Sequence, residues 1–237
     1  MANTAARGAG WALPVLELFG ITVLAFLVSL VAGVAFIVPM FVLGYDLAGT
    51  AVLLGATAAG QVAFLAVGYA YVRVRDVPVP VRRPSKRDLV VILAGVVLAL
   101  VVATGLSVLL SVLDLVPDSV IGDVATTDPT FLLGLAALSV VLVAPAEELL
   151  FRGAIQGRLR QRIGPIPAVL GASLLFGSMH LANYSGGLAS VVAGALLITA
   201  VGCVLGALYE YTDNLVVPVV THAVYNVVLM VVAYLTI

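Results

Sequence analysis

Long stretches without charged residues follow one another along the chain, and this pattern predicts its secondary structure. Asp, Glu, Lys and Arg are absent from residues 18–45, 47–72, 89–113, 129–146, 163–209 and 214–237. A helix needs about 20 apolar residues to cross the ~30 Å hydrocarbon core of a bilayer. Five of these stretches can hold one membrane span each, and the longest can hold two. The pattern therefore predicts seven transmembrane helices.

The spans are expected to be helices rather than strands of a barrel. In lipid the backbone must satisfy its own hydrogen bonds, and the stretches lack the alternation of apolar and polar residues that barrel strands show. The composition agrees, because 63% of the residues are hydrophobic and only 10% are charged, whereas a soluble domain carries about 25% charged residues. We expect an all-α, polytopic bundle: an integral, multi-pass membrane protein in contact with lipid, in the cell membrane if its source is prokaryotic.

The charge balance and the cysteine content exclude some functions. A net charge of −1 argues against nucleic acid as a partner. The single cysteine, Cys203, lies in an apolar stretch and cannot form a disulfide within the chain. Redox chemistry is therefore not expected.

The basic residues predict the orientation of the bundle, because Lys and Arg are enriched in cytoplasmic loops. A cytoplasmic N-terminus places all 11 basic residues inside: Arg7, Arg73, Arg75, Arg82, Arg83, Lys86, Arg87, Arg152, Arg158, Arg160 and Arg162. The segment between the third and fourth spans contains no basic residue and falls outside; its acidic residues are Asp114, Asp118, Asp123 and Asp128. The proline-rich residues 77–84 are predicted to be an extended linker between the N-terminal helices and the rest.

A few polar residues lie where an apolar span is expected. An ionisable group at the centre of a membrane helix costs about 2.5–3.5 kcal/mol, so such groups are usually functional. Both histidines of the chain, His180 and His222, lie inside uncharged stretches, and Glu147 and Glu148 directly follow one. These four residues are the first candidates for a chemical site.

Helical spacing predicts how the two glutamates differ. Glu148 and Arg152 are four residues apart, so they share a helix face and can form an ion pair. Glu147 points about 100° away from that face and is free of this partner. Pro145 cannot donate a backbone hydrogen bond, which predicts a kink of the helix beside the carboxylates.

A predicted helical hairpin brings the candidates to one depth. Gly164 and Pro165 are a strong helix stop. Glu147 lies 17 residues before Gly164 and His180 lies 16 residues after it, so both are about 25 Å from the turn at 1.5 Å per residue. The same four-residue spacing places Phe176 on the face of His180, where its ring can stack on the imidazole, and Asn226 on the face of His222.

Three motifs, in this order and separation, resemble a known family. They are Glu147-Glu148-x-x-x-Arg152, Phe176-x-x-x-His180 and His222-x-x-x-Asn226, and together they are similar to the CPBP family of intramembrane proteases. That family includes the type II CAAX prenyl endopeptidases and the bacterial abortive-infection and bacteriocin-processing homologues. The likeness covers roughly residues 130 to 237. It implies two parts of one membrane domain: N-terminal helices and linker in 1–128, and a catalytic helix core in 129–237.

The resemblance implies an endopeptidase that cuts a peptide or lipidated peptide, such as a prenylated CAAX sequence, within the membrane. Glu147 is then the essential residue, and His180, His222 and Asn226 complete the site. Our hypothesis is that Glu147 deprotonates a water held between it and His180. His222 and Asn226 would donate to the oxyanion, and Glu148, Arg152 and Phe176 would support the site.

Several alternatives stay open at this point. The same Glu147, His180 and His222 could instead bind zinc, so the cofactor is either none or zinc. A non-catalytic membrane scaffold or an immunity protein could keep the fold without the activity. A proton-coupled transporter is less favoured, because we find no internal repeat and no matching polar residues in the first three helices. The sequence does not indicate the oligomeric state or the substrate.

Overall fold

The structure is a computed structural model that describes the backbone from Thr4 and the side chains from Val15 to the C-terminus. Arg7, which the orientation analysis counts as cytoplasmic, has its side chain outside the described residues. Seven of the described helices are long and apolar enough to cross a membrane, which confirms the predicted all-α, seven-span bundle. The helices are α1 (Thr4–Val42), α2 (Thr50–Val74), α3 (Lys86–Val112), the short α4 (Val120–Thr127), α5 (Thr130–Ile163), α6 (Pro165–Met179), α7 (Leu188–Thr212) and α8 (Val216–Thr236).

Helix α5 changes its hydrogen-bonding pattern along its length. Two π-helical segments, Ser139–Val143 and Leu149–Gln156, flank a single α-helical turn at Ala144–Glu148. Pro145 lies in that turn and has no N–H to donate. The irregularity around it is π-helical, and the predicted kink stays a prediction. Such π segments turn the following side chains relative to a regular α-helix and are frequent at functional sites.

The connections between helices gather at the two ends of the bundle. At one end β1 (Asp118–Ser119) pairs antiparallel with β2 (Tyr184–Ser185), which joins the connection after α3 to the connection after α6. At the other end the predicted linker lies against the turn between α7 and α8, where the Leu215 N–H donates to the Pro80 carbonyl at 2.9 Å. Consecutive spans therefore run in alternating directions.

The two ends differ in charge. The linker end carries nine basic residues with partly or fully exposed side chains: Arg73, Arg75, Arg82, Arg83, Lys86, Arg87, Arg158, Arg160 and Arg162. Arg152, which was also counted as cytoplasmic, is not part of this surface group, because its side chain is 0% exposed inside the bundle. The orientation prediction now depends on the remaining basic residues, which still lie at a single end.

An aromatic core holds α2, α5 and α6 together. Phe151 of α5 packs between Phe64 of α2 and Phe176 of α6, with ring centroids 6.0 and 5.1 Å away. Helix α6 also approaches α7 closely, because a Cβ added at Gly177 would lie 2.5 Å from the carbonyl oxygen of Ala195. The N-terminal helices thus pack against the segment that carries the motifs, and the boundary between residues 128 and 129 stays a prediction.

Candidate active site

A cavity of about 370 Å³ lies among α2, α5, α6, α7 and α8. This is the size of a small-molecule pocket. Five of the predicted site residues line it: Glu147, Phe176, His180, His222 and Asn226. The other two, Glu148 and Arg152, are fully buried beside it. The fold therefore brings the three motifs to one place inside the bundle, and Glu147 and His180 reach a common depth as the hairpin predicts.

Glu148 is the centre of a buried charged group. Its Oε1 accepts from Arg152 Nη1 at 2.9 Å, the ion pair that helical spacing predicts. The same oxygen lies 2.8 Å from Nδ1 of His222, a contact that the sequence does not reveal. Arg152 also donates from Nη2 to the Gly202 carbonyl at 2.9 Å. Because a guanidinium has only donors, Glu148 is the acceptor in its contact with Arg152.

This contact determines which nitrogen of His222 faces the cavity. A carboxylate can only accept, so Nδ1 of His222 carries the proton. The other nitrogen, Nε2, lies 3.9 Å from Oε2 of Glu147. In the neutral ring Nε2 has a free lone pair, and it donates a hydrogen bond only when the ring is protonated. The role predicted for His222 as an oxyanion donor therefore requires the imidazolium.

His180 is oriented by the backbone of its own helix. It is the residue at which α6 ends, and its Nδ1 lies 2.8 Å from the carbonyl oxygen of Phe176. A carbonyl accepts, so Nδ1 carries the proton here as well and Nε2 is left unprotonated. The Phe176 and His180 rings meet edge-on, at 4.7 Å and 61°, rather than stacking in parallel as the four-residue spacing predicts.

The Phe176 ring lies against both imidazoles. Its ring centroid lies 5.8 Å from that of His222, and the Arg152 guanidinium lies over it at 4.6 Å. The ring therefore contacts both histidines and the buried cation. This is a packing role, consistent with the supporting function predicted for Phe176.

Glu147 has a polar neighbour on α2 that the sequence analysis missed. Nε2 of Gln61 donates to Oε1 of Glu147 at 3.3 Å, and Gln61 and Thr57 both line the cavity. The prediction that the first three helices bring no matching polar residue is therefore wrong. The available signal was the amide of Gln61 within the uncharged residues 47–72.

Asn226 is held by a residue of the first π segment. Its Nδ2 donates to Ser139 Oγ at 2.9 Å, and Ser139 is 1% exposed. An amide nitrogen carries two hydrogens, so one remains for a ligand in the cavity. Ser139 was also missed, because a serine in an apolar stretch is common in helix packing.

The cavity extends to the end of the bundle that carries the paired strands. Its wall there includes Ser119, Asn183 and Tyr184. Burial raises the pKa of the Tyr184 hydroxyl, which lies in the connection after α6. Tyr184 is therefore a neutral donor and acceptor at this end of the cavity.

The zinc alternative meets only half of its requirements. Histidines that bind a metal usually donate their other ring N–H to a carboxylate or a carbonyl, as His180 and His222 do. Zinc also needs its ligands at about 2.0–2.2 Å from one point, and no three His, Cys, Asp or Glu side chains among the described residues are grouped closely enough. The described residues, as they are arranged here, therefore do not form a three-ligand zinc site.

The chain is thus a polytopic helical membrane protein. One Glu, two His and one Asn line a cavity inside its helical bundle. Residues 129–228 match the family model of the type II CAAX prenyl endopeptidases, described as Rce1-like. All three motifs lie within this match. This part of the chain is therefore similar to that family, as the motifs predict.

One further relative is more distant. A stretch of 88 residues is 34% identical to the uncharacterized protein YpbD of Bacillus subtilis (strain 168), and it covers 37% of this chain and 40% of YpbD. The match thus spans about two fifths of that relative's length. No solved structure matches the chain. Gln61 lies outside both the family match and the motifs.

Gln61 leads to a first prediction. Gln61→Leu should lower peptide hydrolysis about tenfold, because a hydrogen bond to a charged group contributes roughly 1.5–3 kcal/mol and this one is long. Thr57→Val is the matched control: Thr57 lines the same cavity, but its hydroxyl donates to the Leu53 carbonyl at 2.9 Å. The rates of both variants would be measured beside the wild type. A wild-type rate for Gln61→Leu would show that the contact with Glu147 does not matter.

Proposed function

We propose that this protein is an intramembrane endopeptidase that hydrolyses a peptide bond of a membrane-associated substrate in the cell membrane. The observation that carries the proposal is the cavity in which Glu147 faces two imidazoles, each oriented through its Nδ1, and a side-chain amide. Peptide hydrolysis needs a base for water and donors for the oxyanion. These residue types meet both needs.

In the first step Glu147 removes a proton from a water that lies between it and Nε2 of His180. The water oxygen bonds to the peptide carbon, and the carbonyl oxygen becomes an oxyanion. The free N–H of Asn226 donates to this oxyanion. His222 donates from Nε2 as the imidazolium, whose two ring nitrogens lie 3.9 Å from Oε2 of Glu147 and 2.8 Å from Oε1 of Glu148.

In the second step the carbon–nitrogen bond breaks. Glu147 returns its proton to the leaving nitrogen, which departs as an amine, and the oxyanion collapses to a carboxylic acid. One water is consumed and Glu147 regains its ionised form. No oxidant, reductant or cofactor is required by this cycle.

The remaining motif residues act through their neighbours. Glu148 keeps the Nδ1 proton on His222 and so determines which nitrogen faces the substrate. Arg152 neutralises Glu148 in the interior. Gln61 holds one oxygen of Glu147, which leaves the other, Oε2, near His222.

A non-catalytic scaffold or immunity protein is the main rival, and a comparison of whole cells separates it from a protease. We expect membrane peptides and protein N-termini to differ between cells that express the wild type and cells that express Glu147→Ala. Fragments that require Glu147 support proteolysis and identify the substrate, with or without a prenyl group. Identical peptide profiles at equal protein levels would favour the scaffold.

Asn226 provides a prediction about the oxyanion. Asn226→Ala should lower the turnover rate by about 10²–10³, the usual loss when one such donor is removed. Ser139→Ala keeps the amide and removes only its anchor, so its loss should be smaller. Rates would be measured on a fragment precursor identified in the cell comparison. Equal turnover rates for Asn226→Ala and the wild type would show that Asn226 does not stabilise the oxyanion.

The metal-free mechanism has its own test. Purified wild-type protein should cleave the same precursor after exhaustive chelation, and elemental analysis should detect no stoichiometric zinc. Asn226→Ala should not change the metal content, because a side-chain amide is a poor zinc ligand. Activity that chelation abolishes and zinc restores would replace the water-activating role of Glu147 with a zinc site.

A further inference from the structure

The site cavity is open toward one end of the bundle and closed toward the other. Ser119 and Ile121 from the connection after α3, and Asn183 and Tyr184 from the connection after α6, all line it. Toward the opposite end the interior is filled by side chains less than 2% exposed: Phe151, Arg152, Gln156 and Leu205. A substrate can therefore approach Glu147 from the end that carries β1 and β2.

The charge distribution assigns that end to the non-cytoplasmic side. The connections there, residues 43–49, 113–129 and 180–187, contain no Lys or Arg, and the second of them contains four Asp. The nine described surface basic residues lie at the opposite end. Because basic residues are retained on the cytoplasmic side, the cavity opens away from the cytoplasm.

A groove continues this opening toward the lipid. It has a volume of about 480 Å³ and lies between α3, α7 and α8. Four residues line both the groove and the site cavity: Tyr184, Ile198, Tyr225 and Leu229. Helix α3 contributes Val108, which is 58% exposed, and three hydroxyl side chains: Thr104, Ser107 and Ser111. These residues lie near the end of α3 at Val112, so the groove is in the non-cytoplasmic half of the membrane.

The groove has the chemistry that an unwound peptide needs. A peptide bond must leave its helix before water can attack it, and the freed N–H and C=O groups are costly in lipid unless they find partners. Hydroxyl groups donate and accept hydrogen bonds. The three hydroxyl groups of α3, next to apolar residues, can therefore pair with the backbone of an extended peptide segment that is still within the membrane.

We propose that the substrate is a membrane-inserted peptide that is cut near its non-cytoplasmic end, and that it reaches Glu147 through the groove between α3, α7 and α8. This inference rests on the proposed endopeptidase function. It makes the substrate a peptide processed at the outer side of the membrane, rather than one presented from the cytoplasm.

The side of the opening can be tested without any substrate. In a Cys203→Ala background, single cysteines would be placed at exposed positions by Ser185→Cys beside the cavity, Asp46→Cys in the α1–α2 connection and Arg162→Cys at the basic end. Intact cells would be treated with a membrane-impermeant maleimide. Ser185→Cys and Asp46→Cys should react in intact cells, and Arg162→Cys only after permeabilisation. The reverse pattern would overturn the proposal.

A second experiment tests where the substrate is cut and whether it passes through the groove. Fragments that require Glu147 should begin or end in non-cytoplasmic parts of membrane-inserted proteins. Val108→Trp, which fills the groove, should abolish most of them, whereas Leu109→Trp on the neighbouring face of α3 should not. Cleavage in cytoplasmic segments, or equal cleavage by the two folded variants, contradicts the proposal. If no fragment requires Glu147, the endopeptidase function fails, while the maleimide pattern still decides the side of the opening.

Discussion

Glu147→Gln is expected to lower peptide hydrolysis by a factor of about 10²–10⁴, the usual contribution of a positioned general base. Glutamine keeps the size of the side chain and can still contact Gln61, but it cannot take a proton from water. The side chain of Glu147 is 12% exposed, and its Oε2 lies 3.9 Å from Nε2 of His222. The measurement is the rate of fragment release by purified protein in detergent or liposomes.

The same variant should fold as well as the wild type. Its unfolding midpoint is the control, since a loss of activity with unchanged stability assigns a chemical role to Glu147. Glu148→Gln differs, because it disturbs contacts with both Arg152 and His222 and should lower stability as well as rate. Near-wild-type hydrolysis by folded Glu147→Gln would show that another residue is the base.

Arg152→Met is expected to destabilise the protein by about 3–5 kcal/mol, the usual result of removing one partner from a buried ion pair. Both side chains of the pair are 0% exposed, and the nitrogen and oxygen atoms lie 2.9 Å apart. The substitution leaves the buried Glu148 carboxylate without the guanidinium and removes the cation that lies over Phe176. Equilibrium unfolding in mixed detergent would give the change in free energy.

Arg160→Met is the matched control on the same helix. Arg160 pairs with Glu210 at 3.1 Å, but its side chain is 47% exposed, and exposed pairs typically contribute about 0.2–1 kcal/mol. The two arginines should therefore differ by several-fold in their effect on the free energy of unfolding. If both variants lowered the free energy of unfolding by a similar small amount, the buried Glu148–Arg152 pair would contribute no more to stability than an exposed pair.

Local spacing was enough to predict the parts of the site that lie on one helix. The Glu148–Arg152 pair and the shared face of His222 and Asn226 follow from four-residue periodicity. The match in depth of Glu147 and His180 follows from their nearly equal separations from Gly164, 17 and 16 residues. These predictions hold because a hairpin of two helices has few geometric choices once its turn is known.

Contacts between distant helices could not be predicted in this way. Gln61 reaches Glu147 across 86 positions of sequence, and His222 reaches Glu148 across 74. Helical periodicity says which residues share a face, but not which face of another helix it meets. In α5 the π segments also change the register, so regular spacing gives only an approximate direction for residues beyond Glu148.

The distribution of charged and apolar residues was sufficient to predict a membrane protein with seven helices and to predict which end is cytoplasmic. These predictions need no tertiary structure, because the cost of placing a charge in lipid applies to each residue separately. Packing decided the rest. Burial of Arg152 removed it from the basic surface, the contact with Glu148 selected the nitrogen of His222 that faces the cavity, and the fit of α3 against α7 and α8 left a groove beside the site. These features depend on how helix faces meet, and that is a property of the assembled bundle rather than of any one segment.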